Sequence, residues 1–588
     1  MKEINIIDIV KSRYPNFLNN YPKIIKKIIY ILIEKILYLN EINKFLKLHS
    51  NRKSFDFIEE LFDYLDFSYM ISDKDKQKIP IEGRLIVVSN HPLGSLDGLA
   101  LLKSISQIRP DTKIIANDIL EYITPLKDLI IPFNIESFKI QKENILKIEE
   151  SLKKEECLIF FPAAEVSRLR YNGIKDSKWN KGPIYFAKKL NSPILPVFIK
   201  GRNTLLFYLI SIISKSFSKL LLPREMFKQK GKTIEIKVGD FIPNRAFNSD
   251  IIDIKTELKL LKKHVYRLGS NKKLIFVTEK NIISPVEKSI LKKEIKNAKL
   301  IGKTKNGFNI YITQYENTPL IIREIARLRE ITFRKIGEGT GNKADFDLFD
   351  NYYHHIFLWD ENSEEIIGSY RIGVCEEILN KYGIKGLYSN TLFEFSNDFT
   401  NKYFYNSIEL GRSFIQPKHW NSNALDYLWM GIGSFLFLNP NIKYMFGPVS
   451  LSNSLSPEVK NMIIYFYSKW FGIKNNNDVI SKNKYILSEK SITELSSIFS
   501  INDYASEFKT LKTLVKTFGY SIPPLFKQYS ELCNDNGTKF YDFNIDPNFN
   551  NCVDGFILVE IDKIKNEKKE RYIYNNNVCN VKKVAENY

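Results

Sequence analysis

His91 and Asp97 stand in the stretch Leu85-Ile-Val-Val-Ser-Asn-His-Pro-Leu-Gly-Ser-Leu-Asp-Gly98 with five residues between them. A carboxylate that fixes an imidazole's tautomer makes it a better general base, which is how His–Asp pairs activate hydroxyls. On its own the spacing also fits a plain helix cap, with Asp97 serving the helix that follows and His91 a loop residue. A second cluster follows in Phe161-Pro-Ala-Ala-Glu-Val-Ser-Arg168, where the carboxylate of Glu165 stands beside the hydroxyl of Ser167 and the guanidinium of Arg168. A third lies in Asn406-Ser-Ile-Glu-Leu-Gly-Arg-Ser-Phe-Ile415, whose Glu409 and Arg412 cannot both face a core without partners. Either they do acid–base or anion-binding work, or they form a buried ion pair that only organises the fold.

The elements around these residues alternate. The apolar run Leu85–Val88 predicts a buried strand of a mostly parallel sheet, ended by Asn90 and His91, with Pro92 keeping His91 out of helical geometry. Gly94 permits a tight turn, and Gly98-Leu-Ala-Leu-Leu102 opens a helix. Strands are predicted at 113–116, 130–133, 157–161, 193–199 and 233–238, with helices near 57–65, 139–154 and 180–190. That alternation implies an α/β domain whose site lies in its strand-to-helix loops. In the second half, 321–334 predicts an amphipathic helix, 355–359 and 365–374 paired strands, 406–415 a strand, 423–438 a helix and 444–447 a strand. Gly337-Glu-Gly-Thr-Gly341 predicts a turn and not a phosphate loop, because no G-K-[ST] follows it and no strand directly precedes it.

The chain has 588 residues and a formal charge of +20, and the charge is uneven. Residues 1–300 carry 54 basic and 34 acidic side chains against 33 of each in the rest, and 151–300 alone hold 32 against 13. A basic half suits an anionic partner, and no zinc-finger spacing or RNP-type run supports nucleic acid. Residues 21–48 place Ile24, Ile28, Ile31, Leu32, Leu39 and Ile42 at helical spacing between lysines, either as a helix lying on a membrane or as one packed on the domain. Residues 205–222 are too interrupted by Ser and Lys to span a bilayer, and are expected to dock shallowly or cover an acyl groove. No run of 18 uncharged apolar residues predicts a transmembrane helix. Five scattered cysteines without a C-x-x-C pair, and no signal peptide, point to a reducing cytoplasm.

N-H-P-L-G-S-L-D-G, F-P-A-A-E-V-S-R and P-I-L-P-V-F-I-K-G-R-N, in this order, resemble the glycerolipid (lysophospholipid-type) acyltransferases, in the branch labelled hemolysin-related. Two departures stand out. The usual spacing is H-x4-D, and Ala163 and Ala164 replace the Glu and Gly of the usual F-P-E-G-T-R-S, so that Glu165 is left to take over the carboxylate two positions later. An acceptor without the lysophosphatidate phosphate is therefore expected. L-R-E-I-T-F, G-E-G-T-G, H-I-F-L-W-D, G-S-Y-R-I-G, E-L-G-R-S-F-I and F-G-P-V-S resemble the GNAT-type acyltransferases that form N-acyl ornithine lipids, relatives of the acyl-homoserine-lactone synthases.

Together the resemblances imply an α/β chain of two domains. The expected boundaries are an amphipathic helical region at 1–54, an O-acyltransferase domain at 55–270 and a basic linker at 271–305. A GNAT-like α+β N-acyltransferase domain at 306–562 and a charged tail at 563–588 complete the chain. They imply a bifunctional ornithine-type lipid synthase. Its second domain moves a 3-hydroxyacyl group onto an amino acid's amine, and its first esterifies the new hydroxyl.

On that reading His91, Asp97 and Glu165 serve ester formation. Glu409 is the base of the second domain, with Arg412 holding it or the acceptor's carboxylate. Asn90, Ser167, Arg168, Arg329 and Arg371 lie in the matching blocks as substrate-binding residues. No metal and no tightly bound cofactor is expected. The donor is an acyl carrier protein or acyl-coenzyme A, and the stretch after Ile415, which lacks a Gly-rich pyrophosphate loop, favours the carrier protein. The other partners are an anionic membrane surface, on the cytoplasmic face of the inner membrane, and the amino acid and lyso-aminolipid substrates. The alternatives are a lysophospholipid acyltransferase with a non-catalytic GNAT-like domain, or a membrane-binding hemolysin-like protein.

Overall fold

The structure, a computed structural model, describes residues 22–574 except 37, 50, 117–122, 134–137, 172 and 248–250. The chain divides into two units, Met1–Asn281 and Ile282–Tyr588.

Unit one is built on β1 (Ser68–Met70), β2 (Leu85–Ser89), β3 (Thr112–Ala116), β4 (Ile130–Pro132), β5 (Cys157–Phe160), β6 (Arg168–Arg170), β7 (Gly173–Lys175), β8 (Ile194–Lys200) and β9 (Thr233–Val238). Seven of these form one sheet in the order β1-β9-β8-β2-β5-β3-β4, and β6 and β7 make a separate hairpin. Every pair in the large sheet is parallel except β8 with β9. The apolar run of β2 is continuous because both of its faces are covered. Leu85 and Val87 join a core with Leu101 and Ile159, while Ile86 and Val88 join one with Leu158 and Ile184. That central position puts the end of β2, and so Asn90-His91, at the middle of the sheet edge where α/β folds place their sites.

The predicted 21–48 helix is two helices, Lys23–Ile36 and Leu39–Leu48. The second packs on the unit through Leu39, Phe45 and Leu46, while the first leaves Ile24, Ile28, Ile31 and Leu32 more than half exposed. Residues 205–222 likewise break, into Leu205–Ile213 and Lys215–Leu220, followed by Leu222–Phe227. No helix among the described residues is long and apolar enough to cross a membrane.

Unit two carries β10 (Lys299–Lys303), β11 (Asn309–Thr313), β12 (His354–Asp360), β13 (Glu365–Val374), β14 (Phe393–Phe395), β15 (Ser407–Ile415), β16 (Tyr444–Leu451), β17 (Val479–Ser481), β18 (Thr538–Asp546) and β19 (Cys552–Glu560). Eight of them form a sheet in the order β10-β11-β12-β13-β15-β16-β19-β18, and β14 pairs with β17. Only β15 and β16 run parallel, and they pair at Ser407–Glu409 and Tyr444–Phe446 alone. Beyond that point β15 continues along β13 and β16 along β19, so the two strands part as a wedge in the middle of the sheet.

The boundary between the units falls inside the expected linker at 271–305, whose second half is folded. Residues 288–294 are helical, Val286, Leu291 and Ile295 are buried, and β10 is an edge strand of the unit-two sheet. Lysines at the outward positions of a packed helix and strand mimic the composition of a solvated linker. The charged tail is also folded as far as Asn566–Tyr572, whose Tyr572 is buried, and the remainder from 575 lies outside the described residues.

Candidate functional site

Each unit holds a cluster of polar side chains that its core would reject without partners. In unit one, His91 Nδ1 lies 3.0 Å from Asp97 Oδ2. Asp97 opens the helix Leu96–Ser106 and is fully buried. Its Oδ2 also accepts the Leu93 N–H at 2.8 Å, and its Oδ1 accepts those of Gly94 at 3.1 Å and Gly98 at 3.0 Å. The helix's N-cap position is Ser95, and the Asp97 carboxylate, two residues further on, both partners His91 and accepts N–H groups of the loop and first turn. Burial pushes Asp97 up, but His91 and the N–H donors outweigh it, so its pKa is lowered. Burial likewise pushes His91 down, and the charge and hydrogen bond of Asp97, with the charge of Asp176, raise it overall. An ionised Asp97 accepts a hydrogen bond from Nδ1–H and so holds the tautomer whose Nε2 lone pair can accept a proton.

The loop itself is tightly specified. Gly94 has φ +93°, and a Cβ there would come within 2.4 Å of Val166 Cγ2. Asn203 Nδ2 donates to the carbonyls of Pro92 and Leu93, both at 3.3 Å, from the P-V-F-I-K-G-R-N block.

The other expected residues divide. Asn90 is buried and spent on the fold. Its Nδ2 donates to the Ile199 carbonyl at 2.9 Å and its Oδ1 accepts the Ile199 N–H at 2.8 Å, tying β2 to β8. Ser167 comes to His91 through the backbone, its N–H donating to the His91 carbonyl at 2.8 Å, while its hydroxyl donates to Asp176. Glu165 and Arg168 pair at 3.6 Å, and Arg168 donates to Ser218 Oγ at 2.7 Å. Ala164, in the place of the usual glycine, has φ +53°, the left-handed conformation a glycine would adopt freely. Asp176, missed in the sequence, follows a hairpin and has no spacing signal linking it to His91.

In unit two, of the two partners expected for Arg412, Glu409 or an acceptor's carboxylate, Glu409 is not the one it meets. Glu409, fully buried, accepts the N–H groups of Tyr388 at 3.0 Å and Ser389 at 2.5 Å, and the Tyr353 hydroxyl. Burial raises its pKa. Arg412 goes elsewhere. It has φ +49° and sits where the β13–β15 register shifts, so a bulge in β15 re-aims it. Its guanidinium lies between the rings of Tyr388 at 4.8 Å and Phe549 at 4.6 Å, and 3.3 Å from Asp345 and 3.5 Å from Asp347. It lines an open cleft of about 420 Å³ with Thr340, Asn342, Asp347 and Asn548.

Arg329 and Arg371 are 1% exposed and do not line this cleft. Arg329 holds Asp350 through two bonds, at 2.9 and 2.7 Å, and Arg371 donates to Asp347 at 2.6 Å and Asp350 at 3.1 Å. They fix the segment 345–350 that presents its carboxylates to Arg412. The acids Asp345, Asp347 and Asp350 were not singled out in the sequence, although three carboxylates within A-D-F-D-L-F-D are a usable signal.

Two further buried acids interact electrostatically with Arg412. Glu338, in the G-E-G-T-G turn, donates its backbone N–H to the Phe333 carbonyl at 2.8 Å, but its carboxylate makes no hydrogen bond or ion pair among the described residues, and burial, then the Asp554 charge, push it up to about 8. Asp554, which accepts the Ser450 hydroxyl at 2.6 Å, is raised to about 6 by burial. Among the described residues no group of His, Cys, Asp and Glu has the arrangement of a metal site.

A family profile described as acyltransferase matches residues 19–272, and one described as acetyltransferase (GNAT) domain matches residues 328–430. Glycine N(alpha)-acyltransferase of Phocaeicola vulgatus is 33% identical over 304 residues, covering 50% of this chain and 92% of that protein. Lyso-glycine lipid O-acyltransferase of Bacteroides thetaiotaomicron is 31% identical over 252 residues, covering 42% of this chain and 90% of that protein. The solved 1-acyl-sn-glycerophosphate acyltransferase PlsC of Thermotoga maritima is 17% identical, covering 42% of this chain and 98% of that one, with a TM-score of 0.26. The α/β chain of two domains is thus an enzyme of acyl transfer, and belongs to the acyltransferases, with an acyltransferase unit and a GNAT unit in one polypeptide.

Proposed function

We propose that the two units act in series to make a doubly acylated amino-acid lipid. Unit two transfers a 3-hydroxyacyl group from a thioester to the amine of an amino acid, and unit one acylates the resulting 3-hydroxyl. Order follows from chemistry, since the hydroxyl to be esterified arrives with the first chain. The observation that carries the reading is that one chain spans nearly the whole length of two relatives named for these two steps. Those names favour glycine as the acceptor over the ornithine expected from the motifs.

In unit one, His91 Nε2 takes the hydroxyl proton while Asp97 holds Nδ1 and stabilises the imidazolium. Glu165 and Arg168 hold the acceptor, and Ser167 and Asn90 position the loop. In unit two, Arg412 binds the acceptor's carboxylate at the cleft. The thioester lies along the wedge between β15 and β16, where facing strand edges are open to an extended chain. Proton removal falls to Asp554 or Glu338, whose raised pKa values near neutrality suit a base. Glu409, closed in by its own donors, supports the Tyr388–Ser389 turn beneath Arg412. The donor is an acyl carrier protein or acyl-coenzyme A, and presenting both thioesters to the protein separates them.

The work is done at a lipid surface, on the cytoplasmic face of the inner membrane. The helices Leu205–Ile213 and Lys215–Leu220 expose Leu205, Leu209, Ile212, Ile213 and Phe217, beside exposed Lys215, Lys219, Lys228 and Lys230. Such a face suits shallow docking on anionic lipid.

The test is mass spectrometry of lipids from cells expressing the full chain. The expected product is a diacylated aminolipid, replaced in His91→Ala by its monoacylated precursor. Absence of any new aminolipid from cells making folded protein refutes the proposal. A diacylated product from His91→Ala refutes the assignment of the ester step.

A further inference from the structure

The geometry points to Asp176 as a positioning residue of the ester-forming site, a second buried carboxylate that locks the His91 peptide in place and adds its charge to that of Asp97. The inference rests on the reading of His91 as the base of that step.

Asp176 follows the hairpin β6–β7 and is 1% exposed. Its Oδ1 accepts the His91 backbone N–H at 3.2 Å and the Ser167 hydroxyl, and its Oδ2 accepts Trp179 Nε1 at 2.9 Å. Ser167 in turn donates its N–H to the His91 carbonyl. The His91 peptide is therefore gripped at both ends within a closed ring of three residues, drawn from the loops after β2, after β5 and after β7. Asp176 is itself fixed from the helix Ile254–Gly269. Its N–H donates to Tyr266 Oη at 2.8 Å, and its carbonyl accepts Lys262 Nζ at 2.7 Å.

Ring and charge have separate consequences. The ring fixes where the imidazole sits, so its loss displaces Nε2 from the hydroxyl. The charge favours the imidazolium that forms when the hydroxyl gives up its proton. The charges that act on His91 are those of Asp97 on its own loop and of Asp176; Lys262 sits on the Asp176 carbonyl, and Glu165 pairs with Arg168, the first residue of β6. Asp97 and Asp176 both raise the His91 pKa. Because the neutral imidazole is the active form, activity falls as pH drops through that value. Removing one negative charge must move this acid limb to lower pH.

The experiment measures O-acyl transfer to a supplied monoacylated amino acid from an acyl thioester, as kcat/KM against pH, with the full chain. Asp176→Asn is expected to lose about 10–100-fold in rate through misplacement, and to shift the acid limb down by about one pH unit. Trp179→Phe, which loosens the ring but keeps the charge, is expected to leave the limb where it is. A folded Asp176→Asn with the wild-type limb overturns the proposal, whatever its rate. Should Asp176→Asn not fold, Asp176→Glu keeps the charge on a longer stem. It is expected to be slower with an unmoved limb, and wild-type speed from it overturns the proposal. His91→Ala in the same assay separates the two readings. If it retains the reaction, the base assignment fails. If it is dead while Asp176→Asn keeps its limb, the role of Asp176 alone fails.

Discussion

Replacing Asp97 by asparagine changes one oxygen into an amide nitrogen at a buried site where four donors converge. The carboxylate accepts from His91 Nδ1 and the N–H groups of Leu93, Gly94 and Gly98. An asparagine keeps a single acceptor oxygen. If that oxygen stays with Gly94 and Gly98, the amide donates toward His91 Nδ1, which moves the imidazole proton to Nε2 and removes the lone pair that should take the hydroxyl proton. If the amide turns over, the Gly94 N–H loses its acceptor, at about 1–3 kcal/mol for a buried unsatisfied donor, while Gly98 keeps the Ser95 carbonyl at 3.1 Å. Either way the base is lost or its loop is loosened. The wrong-tautomer outcome is worth about 10⁴ in kcat for the analogous change in a Ser-His-Asp triad. Asp97→Asn should therefore lower O-acyl transfer to supplied monoacyl amino acid by about 10³–10⁴, while N-acyl transfer by the same preparation is unchanged. The assay is thioester consumption with each acceptor in turn, with circular dichroism to show folding. A folded Asp97→Asn protein within tenfold of wild type in O-acylation would refute the general-base argument.

Three further expectations follow from single residues. Ala164→Gly relieves a left-handed alanine that costs about 1–2 kcal/mol, offset by about 0.4–1 kcal/mol of unfolded-chain entropy, so its urea midpoint should rise slightly with activity retained. Arg412→Lys loses the planar group between Tyr388 and Phe549, and should raise the KM for the amino acid by about tenfold or more without touching O-acylation, as kinetics with saturating thioester will show. His355 is buried and its pKa is lowered to about 3, chiefly by burial, so the unfolded chain binds the extra proton first as pH falls. The stability this contributes is complete above the unfolded value near 6.5 and is lost as pH drops from there toward 3. Urea unfolding across that window should show a shallower loss for His355→Gln, and an unchanged slope would contradict the buried neutral imidazole.

The His91–Asp97 pairing was legible in the sequence because everything that makes it is local. An apolar strand, a proline after the histidine, a glycine in the turn and a helix start lie within fourteen residues, and strand and helix periodicity fix where that loop must fall. The two-unit α/β architecture was legible for the same reason, as a succession of apolar runs. Tertiary structure decided the rest. Glu409 and Arg412 are three positions apart on a strand, where alternation places such residues on opposite faces, and a bulge with Arg412 at φ +49° then turns the guanidinium to the cleft. Arg329 and Arg371 carry the charge of a binding residue, but acids brought in from 345–350 bury them. The lysines of 288–296 concealed a packed helix, because composition counts the outward residues while burial depends on Val286, Leu291 and Ile295. Asp176 reaches His91 from 85 positions away through a hairpin with no motif of its own. Local order can be written in neighbouring residues, but which distant carboxylate closes on a histidine depends on how the sheet brings its loops together.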